Sequence, residues 1–238
     1  MRSLPLESVP MIPAPERRLL ADRAYDALKS SLQSGKYPPG SFLSERQLAA
    51  GLGMSKTPLK SALVRLEQEG FLRISPQQGI VVREPSVQEI VELFDLREAI
   101  ETFAVQRVAG KLTPEQTARL RENLRDQAAA TKARQAGEAT RLDTEFHALI
   151  CGFLNNSEMA QTLARMRDKL HRLILTNLSR RPERLATSYR EHAAIAASLI
   201  RGRGSRAADL VRRHLEYGRV MLLGGEGPTS TRGPAPAR

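Results

Sequence analysis

Residues 38–82 read PPGSFLSERQLAAGLGMSKTPLKSALVRLEQEGFLRISPQQGIVV, and the spacing of their apolar residues changes part-way along. After the Pro38-Pro39-Gly40 turn, Ser44 stands as the N-cap of a short helix. Its inner face carries Leu48, Ala49 and Leu52, and Gly53 ends it. Ser55 or Thr57 caps the next helix, with Pro58 near the first turn, where a missing N–H costs nothing. Leu59, Ala62, Leu63 and Leu66 give that helix an apolar stripe, and Gly70 closes it. The period then becomes that of strands. Residues 71–75 and 79–83 are β-rich runs separated by Pro76-Gln77-Gln78-Gly79, which reads as a hairpin. Upstream, Leu20, Ala24, Ala27, Leu28, Ser31 and Leu32 recur at helical spacing and stop at Gly35.

Three short helices followed by a β-hairpin make a winged helix-turn-helix. In that motif the third helix enters the major groove of DNA and the hairpin reaches an adjacent groove. The same residues resemble the DNA-binding domain of GntR-family bacterial transcription regulators. The shared features are the P-G-x-x-L-x-E-x-x-L-A opening, the G-x-S-[KR]-T-P-x-[KR]-x-A-L-x-x-L core and the E-G-[FL] exit, spread over some 65 residues. The resemblance implies contact roles for Arg46 on the second helix, for Ser55, Lys56, Thr57 and Lys60 at the start of the third, and for Gln78 and Gly79 at the wing tip. Hydroxyls and N–H groups at a helix start suit phosphate oxygens. Two departures stand out: Lys56 and Lys60 occupy positions where Arg is usual, and Ser61 one where Glu is usual. Lysine keeps the charge and loses the bidentate fork that reads guanine.

The whole chain has 238 residues, room for one large or two small domains. Its 41% hydrophobic content excludes a wholly disordered protein. A single cysteine, Cys151, excludes an intramolecular disulfide and a cysteine-based zinc finger. No apolar run is long enough to cross a bilayer, and MRSLPLESVPMIPAPERR at the N-terminus lacks the core of a secretory signal, so a soluble cytoplasmic protein with no membrane partner is expected. The net charge is +11, of which +4 falls in residues 16–84 and +6 in residues 85–223, so charge alone does not locate a nucleic-acid surface.

The expected organisation is a flexible segment 1–15, a winged-helix domain 16–84, an all-α bundle 85–223 and a disordered tail 224–238. In the bundle, Ser86-Val87-Gln88-Glu89 and Thr113-Pro114-Glu115-Gln116 fit capping boxes. Breaks at Ala136-Gly137, Asn155-Asn156, Arg181-Pro182 and 201–204 divide it into about six helices.

The four histidines carry the most information. Asp143 and His147 are four apart and share one helix face. His192 and His214 flank the 201–204 turn at nearly equal distances, about 15 Å along an antiparallel helix hairpin, and so can face each other. One carboxylate and three imidazoles suit zinc, nickel or another divalent transition ion, with positions open to an outside ligand. Four separately hydrogen-bonded residues are the alternative, and spacing alone also lets His171 share the layer of His192.

Behind a GntR-type head, D-x-x-x-H, then E-H-x-x-I, then H-L resembles the FCD effector domain of the FadR subfamily. That resemblance implies that Asp143, His147, His192 and His214 ligate a metal, that the metal holds a small organic acid, and that His171 is not a ligand. It also places Arg97, in LFDLREAIE, on the ligand pocket, where a guanidinium would clamp a carboxylate. A surface salt bridge to Glu101 is the alternative for Arg97, and Arg172 is a second candidate clamp. The expected protein is a homodimeric repressor on a palindromic duplex operator, controlled by a carboxylate metabolite. Rival readings are a metal sensor, a metalloenzyme using Glu145 or Glu191 as base, and a purely architectural DNA binder. No H-E-x-x-H, G-x-S-x-G or phosphate loop supports an enzyme.

Overall fold

A computed structural model describes residues 14–75 and 79–225. The chain forms two compact units that part between Glu84 and Pro85. Most of the expected flexible segment 1–15 and tail 224–238 lies outside the described residues.

The first unit runs α1 (Ala14–Gln33), β1 (Phe42–Leu43), α2 (Glu45–Leu52), α3 (Lys56–Gln68), β2 (Leu72–Ser75) and β3 (Gly79–Val82). Its core is the sum of the stripes read above: Leu28 and Leu32 from α1, Leu48 from α2, Leu59, Leu63 and Leu66 from α3, and Leu72, Ile80 and Val82 from the hairpin. Gly53 ends α2 in the left-handed conformation at φ 62, bonding back to Ala49 and Ala50. The hairpin pairs Leu72 with Val82 and Ser75 with Gly79. A third strand, β1, pairs Phe42 with Val81 on the outer side of β3, giving the order β1-β3-β2. Two residues carry no period, so this strand is invisible to pattern reading; the open edge of β3 creates it.

The second unit is a bundle of α4 (Val87–Val108), α5 (Pro114–Lys132), α6 (Ala136–Gly152), α7 (Ser157–Arg180), α8 (Glu183–Ile200) and α9 (Gly204–Leu222). Both capping boxes form, at Ser86/Glu89 and Thr113/Gln116. The break expected at Ala136-Gly137 lies earlier, at 133–135, and Ala136 and Gly137 belong to the first turn of α6. Arg134 itself takes the left-handed conformation, φ 54, so no glycine marks the turn. Phe146, Leu120, Leu163, Leu170, Ile195 and Leu199 are fully buried at the centre. The turns after α4 and α8 meet back to back. Gly110 donates its N–H to Leu199 O, and a Cβ at Gly110 would lie 3.1 Å from the Gly202 Cα. Glycine is needed at this close approach on two grounds, because its φ is +72 as well. Among the described residues no helix is long and apolar enough to cross a membrane.

Candidate metal centre and nucleic-acid interface

Asp143 and His147 on α6, His192 on α8 and His214 on α9 converge at the middle of the bundle, each offering one donor atom within 4.8 Å of the others. The α8–α9 hairpin brings His192 and His214 face to face, with their Nε2 atoms 3.3 Å apart. Phe146 stacks on the His192 ring at 4.4 Å between centroids and walls off one side. All three imidazoles are buried, while 15% of the Asp143 side chain stays exposed.

The hydrogen-bonding neighbours fix which ring nitrogens face inward. Asn123 on α5 donates its amide nitrogen to Leu142 O, which can only accept. Its oxygen therefore takes a bond from Gln127 Nε2, and Gln127 Oε1 then faces His192 Nδ1 at 2.8 Å. His192 must hold its proton on Nδ1, leaving the Nε2 lone pair bare. Glu191 Oε2 is hydrogen-bonded to His214 Nδ1 at 2.7 Å, whereas Glu101 Oε2 lies 2.7 Å from His147 Nδ1 as an ion-pair contact that lacks hydrogen-bond geometry. A carboxylate accepts, so His214 also carries a proton on Nδ1, and the Glu101 carboxylate faces the Nδ1 side of His147. His147 Nε2 is buried with no hydrogen-bond partner. Asp143 Oδ1 is held by the Ser188 hydroxyl at 3.2 Å and lies 3.4 Å from His192 Nε2.

Three imidazoles and a carboxylate therefore converge on one volume, a donor set that suits a divalent cation. Bond lengths of about 2.1 Å to a first-row divalent ion put neighbouring donors roughly 3.0–3.4 Å apart. The observed 3.3 and 3.4 Å fit. Burial, reinforced by His214, pushes the His192 imidazole well below its usual value; burial likewise lowers that of His214. Both stay neutral, as ligands must. Burial alone would raise the Asp143 carboxyl, but the charge the surrounding histidines take up in acid, together with Arg97, outweighs it and places it well below the usual carboxylate range. Cys151 takes no part: burial pushes its thiol up to about 12.

Beside the cluster lies a cavity of about 40 Å³, roughly three water positions. Asp143, His214, Arg97, Arg184 and Ser188 supply its polar wall, and Phe94, Ile174, Leu178 and Met221 its apolar one. Arg97 does pair with Glu101, Nε to Oε1 at 2.8 Å, but the pair is buried rather than on the surface. Arg172, half-buried on α7, is not among the lining residues; Arg184 from the start of α8 stands there instead. His171 lies outside the four-residue cluster. Glu145 is bound at the surface to Arg141, whereas Glu191 holds His214. Sequence reasoning missed Gln127, Asn123 and the structural role of Glu101. The one visible signal was two amides four apart on the inner face of α5.

In the first unit the charged groups read from the sequence all stand outward. Arg46, Ser55, Lys56, Thr57, Lys60 and Gly79 are exposed, while Pro58 and Leu59 beneath them are buried. Ser55 is the N-cap of α3 and makes no side-chain capping bond. The first amides of α3 and this hydroxyl thus form an anion-seeking end. Lys60 lies 4.0 Å from Glu45 with 62% of its side chain exposed. Gly79, at φ +76, opens β3. Gln78 lies outside the described residues.

Two family models match the chain: the FCD domain over residues 92–217, and the "Bacterial regulatory proteins, gntR family" model over residues 20–82. The Nta operon transcriptional regulator of Aminobacter aminovorans is 34% identical over 134 residues, 56% of this chain and 63% of that protein. The HTH-type transcriptional repressor RspR of Escherichia coli is 26% identical over 195 residues, 81% of this chain and 84% of its own. The solved structure of E. coli McbR/YncC shares the fold, with a TM-score of 0.75 at 23% identity over 86% of this chain and 97% of that one. These relatives are named as transcription regulators, not enzymes.

Proposed function

Since this chain belongs to the GntR family of bacterial regulatory proteins and carries its FCD domain, we propose that it is a repressor whose hold on DNA is set by a small organic acid bound beside a metal ion. The observation that carries this reading is the convergence of three imidazoles and Asp143 next to a cavity walled by two guanidiniums. Asp143, His147, His192 and His214 would hold the ion, zinc or nickel by donor type. The ion, when bound, supplies a Lewis-acidic contact for a carboxylate. Arg97 and Arg184 draw the acid into the cavity and orient it, and the apolar wall of Phe94, Ile174 and Met221 limits it to a small molecule.

Residues 16–84 serve as the DNA-binding domain, and two such heads on a homodimer meet a palindromic operator. Arg46, Lys56 and Lys60 contact phosphates, Ser55 and Thr57 add hydroxyl contacts, and Gln78 and Gly79 bring the wing to a groove. Because the two cations in the first turns of the recognition helix, Lys56 and Lys60, are lysines, they act as point charges rather than as guanine-reading forks. Residues 85–223 serve as the effector-binding and dimerisation domain. An acid that favours one arrangement of the bundle by about 1–3 kcal/mol is enough to change operator affinity severalfold to a hundredfold.

The test is operator binding by fluorescence anisotropy on the DNA upstream of the protein's own gene, with zinc alone and with zinc plus a panel of small carboxylates. A carboxylate that changes affinity only in the metal-loaded protein supports the reading. A response to zinc removal with no response to any acid would make the ion itself the signal and sink the acid reading.

A further inference from the structure

The two arginines that wall the cavity are also the partners of the two glutamates that orient ligand imidazoles. Arg184 grips Glu191 with both nitrogens, at 2.8 and 2.6 Å, and Glu191 Oε2 contacts His214 Nδ1. Arg97 binds Glu101 Oε1 at 2.8 Å, and Glu101 Oε2 contacts His147 Nδ1. Both guanidiniums are buried, and Arg184 is further pinned over the Tyr217 ring at 4.0 Å. The third imidazole has no such chain: His192 is backed by the neutral amide of Gln127.

We propose that Arg184–Glu191–His214 and Arg97–Glu101–His147 are two relays through which an anion in the cavity tunes the affinity of the metal centre. The inference rests on the metal reading above. A carboxylate against the Nδ1 of an imidazole, hydrogen-bonded as Glu191 is to His214 or held at ion-pair distance as Glu101 is from His147, makes the far nitrogen a better donor to a metal. A guanidinium on that carboxylate withdraws the charge and weakens the effect, so in the anion-free protein the arginines hold both histidines back. An anion that takes hydrogen bonds from Arg184 and Arg97 loosens their grip on Glu191 and Glu101. The glutamates then polarise His214 and His147 more strongly, and the ion binds tighter. By linkage, the ion makes the cavity hold the anion tighter by the same factor. Glu191, Glu101 and the two arginines are positioning residues in this scheme, acting on the ion only through His214 and His147.

The experiment is zinc affinity by competition with a fluorescent chelator at fixed pH, on full-length protein, without acid and with acetate as the anion probe. Glu191→Gln weakens zinc about tenfold to a hundredfold. Arg184→Met tightens it about tenfold in the absence of acid, and it abolishes most of the gain that acetate gives the wild type. In the Glu191→Gln background the Arg184→Met gain disappears, because the relay has lost its middle member. Circular dichroism reports folding. Should Arg184→Met fail to fold, Arg184→Lys, which keeps the charge and loses the bidentate grip, replaces it with a smaller gain of the same sign. Unchanged or weaker zinc binding in a folded Arg184 variant overturns the relay. So does a tightening that persists in Glu191→Gln, which would be through-space charge alone. Wild-type protein that binds no zinc at all overturns the metal reading and the relays together.

Discussion

The head and the bundle display their functional groups in opposite ways. In the head, Arg46, Lys56 and Lys60 stand in solvent above a closed apolar core, and the side chains proposed to touch DNA are not those that hold the fold. In the bundle, His147, His192, His214, Arg97 and Glu101 are buried, and the site shares its walls with the core: Phe146 is at once a central packing residue and the ring stacked on His192. An exposed site can therefore change its specificity without changing stability. A buried one cannot, and that is also what lets a small ligand at the site alter the packing of helices.

The sharpest way to break this contrast is to empty the shared wall. Phe146→Ala is expected to destabilise the bundle by about 3–5 kcal/mol and to weaken zinc binding together with it, checked by denaturant unfolding and chelator competition. If metal affinity survives intact while stability falls, packing and site are independent after all. Next in size is metal removal. At zinc a hundredfold above its dissociation constant, binding contributes about 2.7 kcal/mol to folding. EDTA should lower the melting temperature of the wild-type bundle and leave that of His214→Ala unmoved.

Lys60→Ala probes the other side of the comparison. Its expected effect is on DNA alone: weaker binding across all sequences, a salt dependence reduced by about one unit of slope, and an unchanged melting temperature. A fall in stability with Lys60→Ala would show that the head, too, couples its surface to its core. The smallest effect concerns Glu69, which ties α3 to α1 through Tyr25 and Lys29. Burial would raise its carboxyl, but the Tyr25 and Lys29 contacts outweigh this and lower it. Its stabilising contribution is present above the ordinary carboxylate pKa and fades as pH falls through the lowered folded value. Glu69→Gln should thus lower the head's melting temperature slightly at pH 7 and converge with the wild type in acid.

The head's elements were legible because each depends on local signals: Gly53 and Gly70 as stops, Ser44 and then Ser55 or Thr57 as caps, and a clean change from helical to strand spacing at Phe71. The two-residue β1 was not, since only the open edge of β3 gives it a partner. In the bundle the capping boxes at Ser86 and Thr113 were legible for the same local reason. The α5–α6 break was legible but placed a few residues late, because Arg134 takes the left-handed conformation without a glycine to mark it.

For the candidate site, the sequence by itself determined which residues could meet. Asp143 and His147 share a helix face by period, and His192 and His214 lie at equal heights by their distance from one turn. Only the tertiary structure decided what surrounds them. Gln127 and Asn123 arrive from α5, Arg97 and Glu101 from α4, and Arg184 replaces Arg172 at the cavity. The division has a physical cause. Periodicity along one helix fixes the direction of a side chain about its own axis, whereas the neighbour it finds there depends on how separate helices pack, which no local spacing records.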